Sequence, residues 1–199
     1  FGTIKKISQK SFYYREMKSL FKAIGHFFSF ALGKFTAPII SYGYNNKDKK
    51  IMERWAYAPI SPWGTNLSWF SPFHSDSLED IFPGFIEKYE NDLLWGDVIR
   101  KAIYWYVLSN NPLIGLEGPI ILSQSALELL SWTLLFKEQK MISEDGYSRI
   151  PSHDRLSLML SHFAIPLDID SNLPNLKRKC REFSINGPRA VTEVRNMIV

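Results

Sequence analysis

The sequence predicts a mainly α-helical protein: a helical bundle over residues 76–199, preceded by a smaller helix-and-hairpin elaboration over residues 1–75. Three observations carry that reading. Apolar residues recur at three- and four-residue steps through most of the chain. The segment from Ala37 to Phe73 breaks this rhythm with Pro38, Pro59, Pro62 and Pro72. Of the 199 residues, 45% are hydrophobic and 15% aromatic, a composition that packs and does not stay disordered. A chain of this length buries a sizeable core, as one domain or as one domain with a smaller appended layer.

The first helix is expected over Tyr13–Leu32, where Met17, Leu20, Phe21, Ile24, Phe27, Phe28 and Ala31 form a stripe and Gly33 ends it. His26 lies beside this stripe and reads as a packed histidine. Pro38–Tyr44 and Ile51–Tyr57 suit a hairpin around Asn45–Lys50. Trp63, Trp69 and Phe70 read as a cap packed on helices. A second helix is expected over Ser77–Tyr89, with Ser77 as its cap and acids in its first turn. Leu94–Ser109 is apolar on several faces and stops at Asn110-Asn111-Pro112. Pro119 opens a helix that runs to about Lys137. A polar loop through Glu144, Asp145 and Gly146 leads to a helix capped by Ser152 and closed by Pro166. A short basic helix over Leu176–Phe183 follows. Gly187-Pro188 opens the last helix, still running at Val199. Apolar stripes wide enough to face several neighbours point to a bundle.

The net charge is +4. Lys177, Arg178, Lys179, Arg181, Arg189 and Arg195 stand against Glu182 and Glu193, so the C-terminal end holds an excess as large as that of the whole chain. This basic end fits a polyanionic partner, and it equally fits a solvated helix face. One cysteine, Cys180, excludes an internal disulfide and a multi-cysteine zinc site, which suits a reducing cytoplasm. The apolar runs Phe27–Leu32 and Ile120–Phe136 read as too short, or as interrupted by Gln124 and Glu128, so no membrane span is expected. Both chain ends read as limits of a fragment or of an ordered region, and nothing near Phe1 resembles a cleavable signal.

The closing residues Glu193-Val194-Arg195-Asn196-Met197-Ile198-Val199 carry an Arg-Asn pair near a helix end. That pair resembles the signature of HEPN domains, in which an Arg, often followed by Asn, precedes a His after four to six residues. The tightest version would place that His one residue beyond Val199. Ala102–Tyr106 and Ile120–Trp132 are similar to the paired long helices of HEPN-like proteins, and Phe27–Gly33 and Ser68-Trp69-Phe70 are similar to their N-terminal region. The resemblance implies a HEPN-like helical bundle and metal-independent RNA cleavage, with no cofactor and no metal, in a toxin, antiviral or stress setting. It further implies a homodimer whose two motifs line one cleft. Under it, Arg195 is the phosphate-binding residue. Asn196 orients a partner or seals a dimer contact. Lys177, Arg178, Lys179, Arg181 and Arg189 form the RNA-binding surface.

The chemistry is consistent with these residue types. A histidine exchanges protons near neutral pH, and an arginine presents a bidentate fork to phosphate oxygens. On the helix from Pro119, residues Gln124, Glu128 and Ser131 share one face. Glu128 is the candidate to meet Arg195 across the bundle and fix its orientation, although a solvated face is the simpler reading and the favoured one. His153 and His162 read as structural. The alternative to an enzyme is a helical scaffold that dimerises and binds RNA or a protein partner such as an antitoxin. The chain holds no phosphate loop, no nucleophile elbow and no zinc-protease helix. Its aromatic-rich stretch Trp55–Phe73 suits stacking on bases, but core packing is the stronger expectation there.

Overall fold

A computed structural model describes residues 3–5, 11–62, 68–71 and 76–198. It is mainly helical and divides into two compact units, Phe1–Asp92 and Leu93–Val199.

In the first unit, helix α1 spans Tyr14–Leu32 and stops at Gly33, whose φ of 62° is left-handed and costs a glycine nothing. At its start the Tyr13 N–H is taken by the Glu16 carboxylate at 2.9 Å. The covered face is Ala23, Phe27 and Ala31 at four-residue steps, while Phe28, expected in the stripe, is exposed. Helix α2, Asp76–Asn91, supplies the partners: the Phe27 ring lies 5.0 Å from Phe82 and 5.1 Å from Phe85. Tyr89 Oη sits 3.0 Å from His26 Nδ1, which also meets the Lys22 carbonyl, so His26 is packed as expected. These contacts tie α2 to α1. The units therefore divide between Asp92 and Leu93, and not at the expected 75/76 junction.

After α1 the chain folds back along the helix. Ser29 Oγ donates to the Gly25 carbonyl and accepts the Thr36 N–H. A side chain at Gly25 would crowd Thr36 O at 3.3 Å. Strands β1 (Ile40–Tyr44) and β2 (Lys50–Trp55) then pair antiparallel, with Ile40 opposite Trp55 and Tyr42 opposite Glu53. Trp69 caps α1 as expected, its indole N–H donating to the Phe30 carbonyl at 3.0 Å. Trp63, and Val199 at the chain's end, lie outside the described residues.

In the second unit, α3 (Leu93–Ser109) packs along α4 (Glu117–Trp132), with a 3-10 turn at Pro112–Ile114 between them. Helix α4 is the hub, touching α3, α6 (Ser152–His162) and α8 (Gly187–Ile198). Leu134, Leu156 and Met159 form the core, with Trp95, Leu127, Leu130 and Leu160 packed around them. Helix α4 continues through a π-helical stretch, Thr133–Glu138. At its start the Leu129 carbonyl takes both the N–H and the hydroxyl of Thr133, and this competition favours departure from the regular ladder.

Two expectations need correction. The loop at Glu144–Gly146 is a short helix, α5 (Glu144–Arg149): Ser143 Oγ accepts the Gly146 N–H, two acids occupy the first turn, and Tyr147 is buried. The span Glu117–Glu138 is one continuous helical stretch of 22 residues, long and apolar enough to cross a membrane by length and composition alone. One side of it, with Gln124, Ser131, Thr133, Leu134 and Leu135, is buried against protein, and about a third of the apolar window is buried in all.

Candidate functional site

The face of α4 that carries Gln124, Glu128 and Ser131 is not its wet side. Gln124 is 1% exposed and Ser131 is fully buried. Burying polar groups this deeply costs free energy unless they are hydrogen-bonded, and here they build a network. Glu128 Oε1 accepts from Gln124 Nε2 at 2.8 Å, from Ser152 Oγ at 2.5 Å and from Arg195 Nη2 at 3.3 Å. Its backbone carbonyl takes the Ser131 hydroxyl at 2.9 Å and the Tyr147 hydroxyl at 3.3 Å. Ser131 Oγ and Tyr147 Oη are themselves 2.8 Å apart. Four elements thus converge on one carboxylate residue: α4, α5, the first turn of α6, and α8.

Arg195 reaches this cluster because of its place on α8. Pro188, Thr192 and Arg195 fall at four- and three-residue steps on the side turned toward the bundle. Thr192 Oγ1 is satisfied by the Pro188 carbonyl at 2.9 Å. The side chains of Arg195 and Glu128 are each about a third exposed, 30% and 32%, so the pair lies at the rim of the cluster and not in its depth. Two buried polar atoms there, Arg195 Nε and Gln124 Oε1, have no hydrogen-bond partner among the described residues. The guanidinium is oriented by Glu128 through Nη2, while its Nε is shut away from solvent.

The other expected residues are placed as follows. Asn196, one position from Arg195, is exposed, and its side chain makes no hydrogen bond among the described residues. Helix α7 (Pro174–Glu182) carries Lys177, Arg178, Lys179 and Arg181, and a shallow groove is lined by Ser171, Pro174, Lys177, Arg178, Arg181 and Glu182. Arg178 pairs with Glu182 and Arg189 with Glu193, both at 2.8 Å, one turn apart on exposed helix surface. Such pairs are weak and dissociable, so these two cations are only lightly held. His153 lies 3.6 Å from Asp154 and His162 stacks edge-on to Phe163; neither is hydrogen-bonded to Arg195. Among the described residues no group of three or more His, Cys, Asp or Glu could hold a metal.

Two members of the cluster were not legible as such. Ser152 is the first residue of α6, not its cap, and its hydroxyl goes to Glu128. Tyr147 was hidden because α5 reads as loop. Trp55, expected to pack in a core, is exposed on the hairpin.

Residues 92–199 match the YopA C-terminal domain family, and residues 1–66 match the YopA central domain. The start of the C-terminal match coincides with the junction between the two compact units. All 199 residues align, at 31% identity, with the SPbeta prophage-derived uncharacterized protein YopA of Bacillus subtilis (strain 168). The chain spans 44% of that relative's length. No solved structure matches the chain. With more than half of its length accounted for in this way, the chain belongs to the YopA C-terminal domain family.

Proposed function

We propose that the Leu93–Val199 unit is a HEPN-like module acting on RNA as a metal-independent endoribonuclease, with Arg195 as the group that binds the scissile phosphodiester. The observation that supports this reading is the state of Arg195: a guanidinium turned toward the bundle, fixed through Nη2 by Glu128 and about a third exposed. Held this way, it offers a pre-oriented fork to a phosphate and gains strength from the partly desolvated surroundings. Lys177, Lys179 and Arg181 on α7, with Arg178 and Arg189 released from their one-turn pairs, supply electrostatic attraction for the strand.

The dimer belongs to the same proposal. Helix α8 exposes Val191, Val194 and Met197 at three-residue steps, Met197 at 84%, and this apolar edge suits contact with a second copy. The prophage origin of the related protein fits a role in phage–host conflict, as a toxin or antiviral factor, and an RNA substrate fits the cytoplasm.

A second reading is favoured by one observation: Arg195 already has a counter-charge in Glu128. In that reading the module binds RNA or a protein partner without cleaving. One experiment separates the two. Full-length protein is incubated with single-stranded RNA in EDTA, and the products are examined for 2′,3′-cyclic phosphate ends. Such ends in the wild type and their loss in a folded Arg195→Ala variant support cleavage. Binding without cleavage, weakened by Arg195→Ala, supports the scaffold. Cleavage unchanged in Arg195→Ala removes Arg195 from the site.

A further inference from the structure

The hairpin of the first unit carries aromatic rings on a face that no described part of the chain covers. Its two faces differ in kind. Inward lie Ser41, which is buried; Gly43, where an added Cβ would come within 3.1 Å of Met52 Cβ; and Arg54, whose guanidinium lies 5.9 Å from the centre of the Phe21 ring of α1. Outward lie Ile40, Tyr42 and Tyr44 from β1 and Ile51, Glu53 and Trp55 from β2, followed by Tyr57, which is fully exposed. Trp55 is 70% exposed and Tyr44 59%. A face whose only purpose was to fill a core would not leave its indole in water.

Polar contacts hold these rings in place. Trp55 Nε1 donates to Glu53 Oε1 at 2.6 Å, and Lys50 Nζ reaches Glu53 Oε2 at 2.6 Å. The Lys50 ammonium also lies 5.0 Å from the centre of the Tyr42 ring. The one carboxylate on the face is therefore consumed by its neighbours. At the tip, Asn45 Oδ1 accepts the N–H groups of Lys47 and Lys49, which braces a turn bearing Lys47, Lys49 and Lys50 against Asp48 alone. The result is an aromatic surface with a basic edge.

We infer that this outer face of the hairpin is a stacking platform for single-stranded RNA, with Tyr42, Tyr44 and Trp55 taking unpaired bases and the tip lysines taking phosphates. Same-face residues on a strand repeat about every 7 Å, room enough for successive unstacked bases on successive rings. Ring-on-base stacking is indifferent to sequence, and a lysine-edged sheet with exposed aromatics is the chemistry by which sheets hold single strands. A partner recognised only through apolar contact would have no use for the lysines. The choice of RNA over DNA rests on the function proposed above; the platform itself rests on the first unit alone.

The test uses the whole chain and a fluorescently labelled uridine-rich RNA about eight nucleotides long, short enough to engage roughly one platform. Anisotropy is measured for wild type, Trp55→Ala, Tyr42→Ala, Trp55→Phe and Arg195→Ala, with melting curves to confirm folding. Trp55→Ala and Tyr42→Ala each weaken binding about tenfold, the loss of one stacked base. Trp55→Phe keeps most of the affinity, because the ring remains. The Trp55→Ala and Tyr42→Ala losses recur in an Arg195→Ala background, so a failure here is distinct from a failure of the cleavage site. Lys47→Ala with Lys49→Ala lowers the slope of log K against log salt by about 0.7 per lysine. Unchanged affinity in both aromatic variants would overturn the proposal. So would tighter binding of the matching DNA, or a Trp55→Ala variant that alters self-association and not RNA affinity.

Discussion

Removing Glu128 should cost the second unit much more than removing Arg195, although the two are partners. In Glu128→Ala, Gln124 is 1% exposed and keeps only its 3.3 Å contact with Ser152. A buried amide left short of a partner costs about 1–3 kcal/mol. Ser152 loses a 2.5 Å bond and Arg195 loses its counter-charge. Because that pair is about a third exposed, it is screened and adds at most about 1 kcal/mol. The total is about 2–4 kcal/mol. In Arg195→Ala, Glu128 keeps both other donors and its share of water, so the loss stays near 1 kcal/mol. Urea denaturation of both variants and the double variant measures the difference and the coupling, which should be about 1 kcal/mol. Equal losses, or a larger one for Arg195→Ala, would refute the claim that Glu128 organises this network.

Other consequences follow from single positions. Gly187→Ala should destabilise by about 1–3 kcal/mol, since the new Cβ would stand 2.9 Å from the Leu167 carbonyl oxygen, outweighing any gain in helix propensity; thermal melting checks it. Gly84→Ala, inside α2 with nothing within 4 Å of the added Cβ, should stabilise by about 0.5–1 kcal/mol in the same assay. The hydrogen bonds from Lys50 and Trp55 hold Glu53 below the usual carboxylate range. A carboxylate lowered by folding adds stability that is present above its unfolded value, near 4.5, and lost as pH falls through its folded one. Acid should therefore release the Trp55 indole below about pH 4.5, seen as a change in the indole N–H NMR signal that is absent in Glu53→Gln. Met197→Glu should lower self-association in sedimentation without lowering the melting temperature, since the side chain is 84% exposed.

The sequence made the helices legible because periodicity and punctuation agree there. Gly33 ends α1, Asn110-Asn111-Pro112 ends α3, and the hairpin lies where alternating aromatics flank Asn45–Lys50. It also brought Gln124, Glu128 and Ser131 to one face, but it gave no means to see that this face is buried. A polar stripe reads as solvent-facing until its partners are known, and those partners come from Ser152, Tyr147 and Arg195, distant in sequence. Helix α5 was lost because Glu-Asp-Gly carries a turn signal as strong as its capping signal. The domain junction was misplaced for a similar reason: α2 follows the proline-rich segment in sequence, yet its Phe82, Phe85 and Tyr89 pack on α1. The hairpin's aromatic residues misled in the opposite direction, since composition alone assigns Trp and Tyr to cores.

The most direct measurement exchanges the two charges, Glu128→Arg with Arg195→Glu, and compares stability with RNA cleavage. The account predicts that the exchange recovers only the pair's own share of stability, about 1 kcal/mol, while cleavage remains absent, because the guanidinium no longer projects from α8. Cleavage that returns together with stability would show that the pair only holds the helices together, and would contradict the assignment of Arg195 to the phosphodiester.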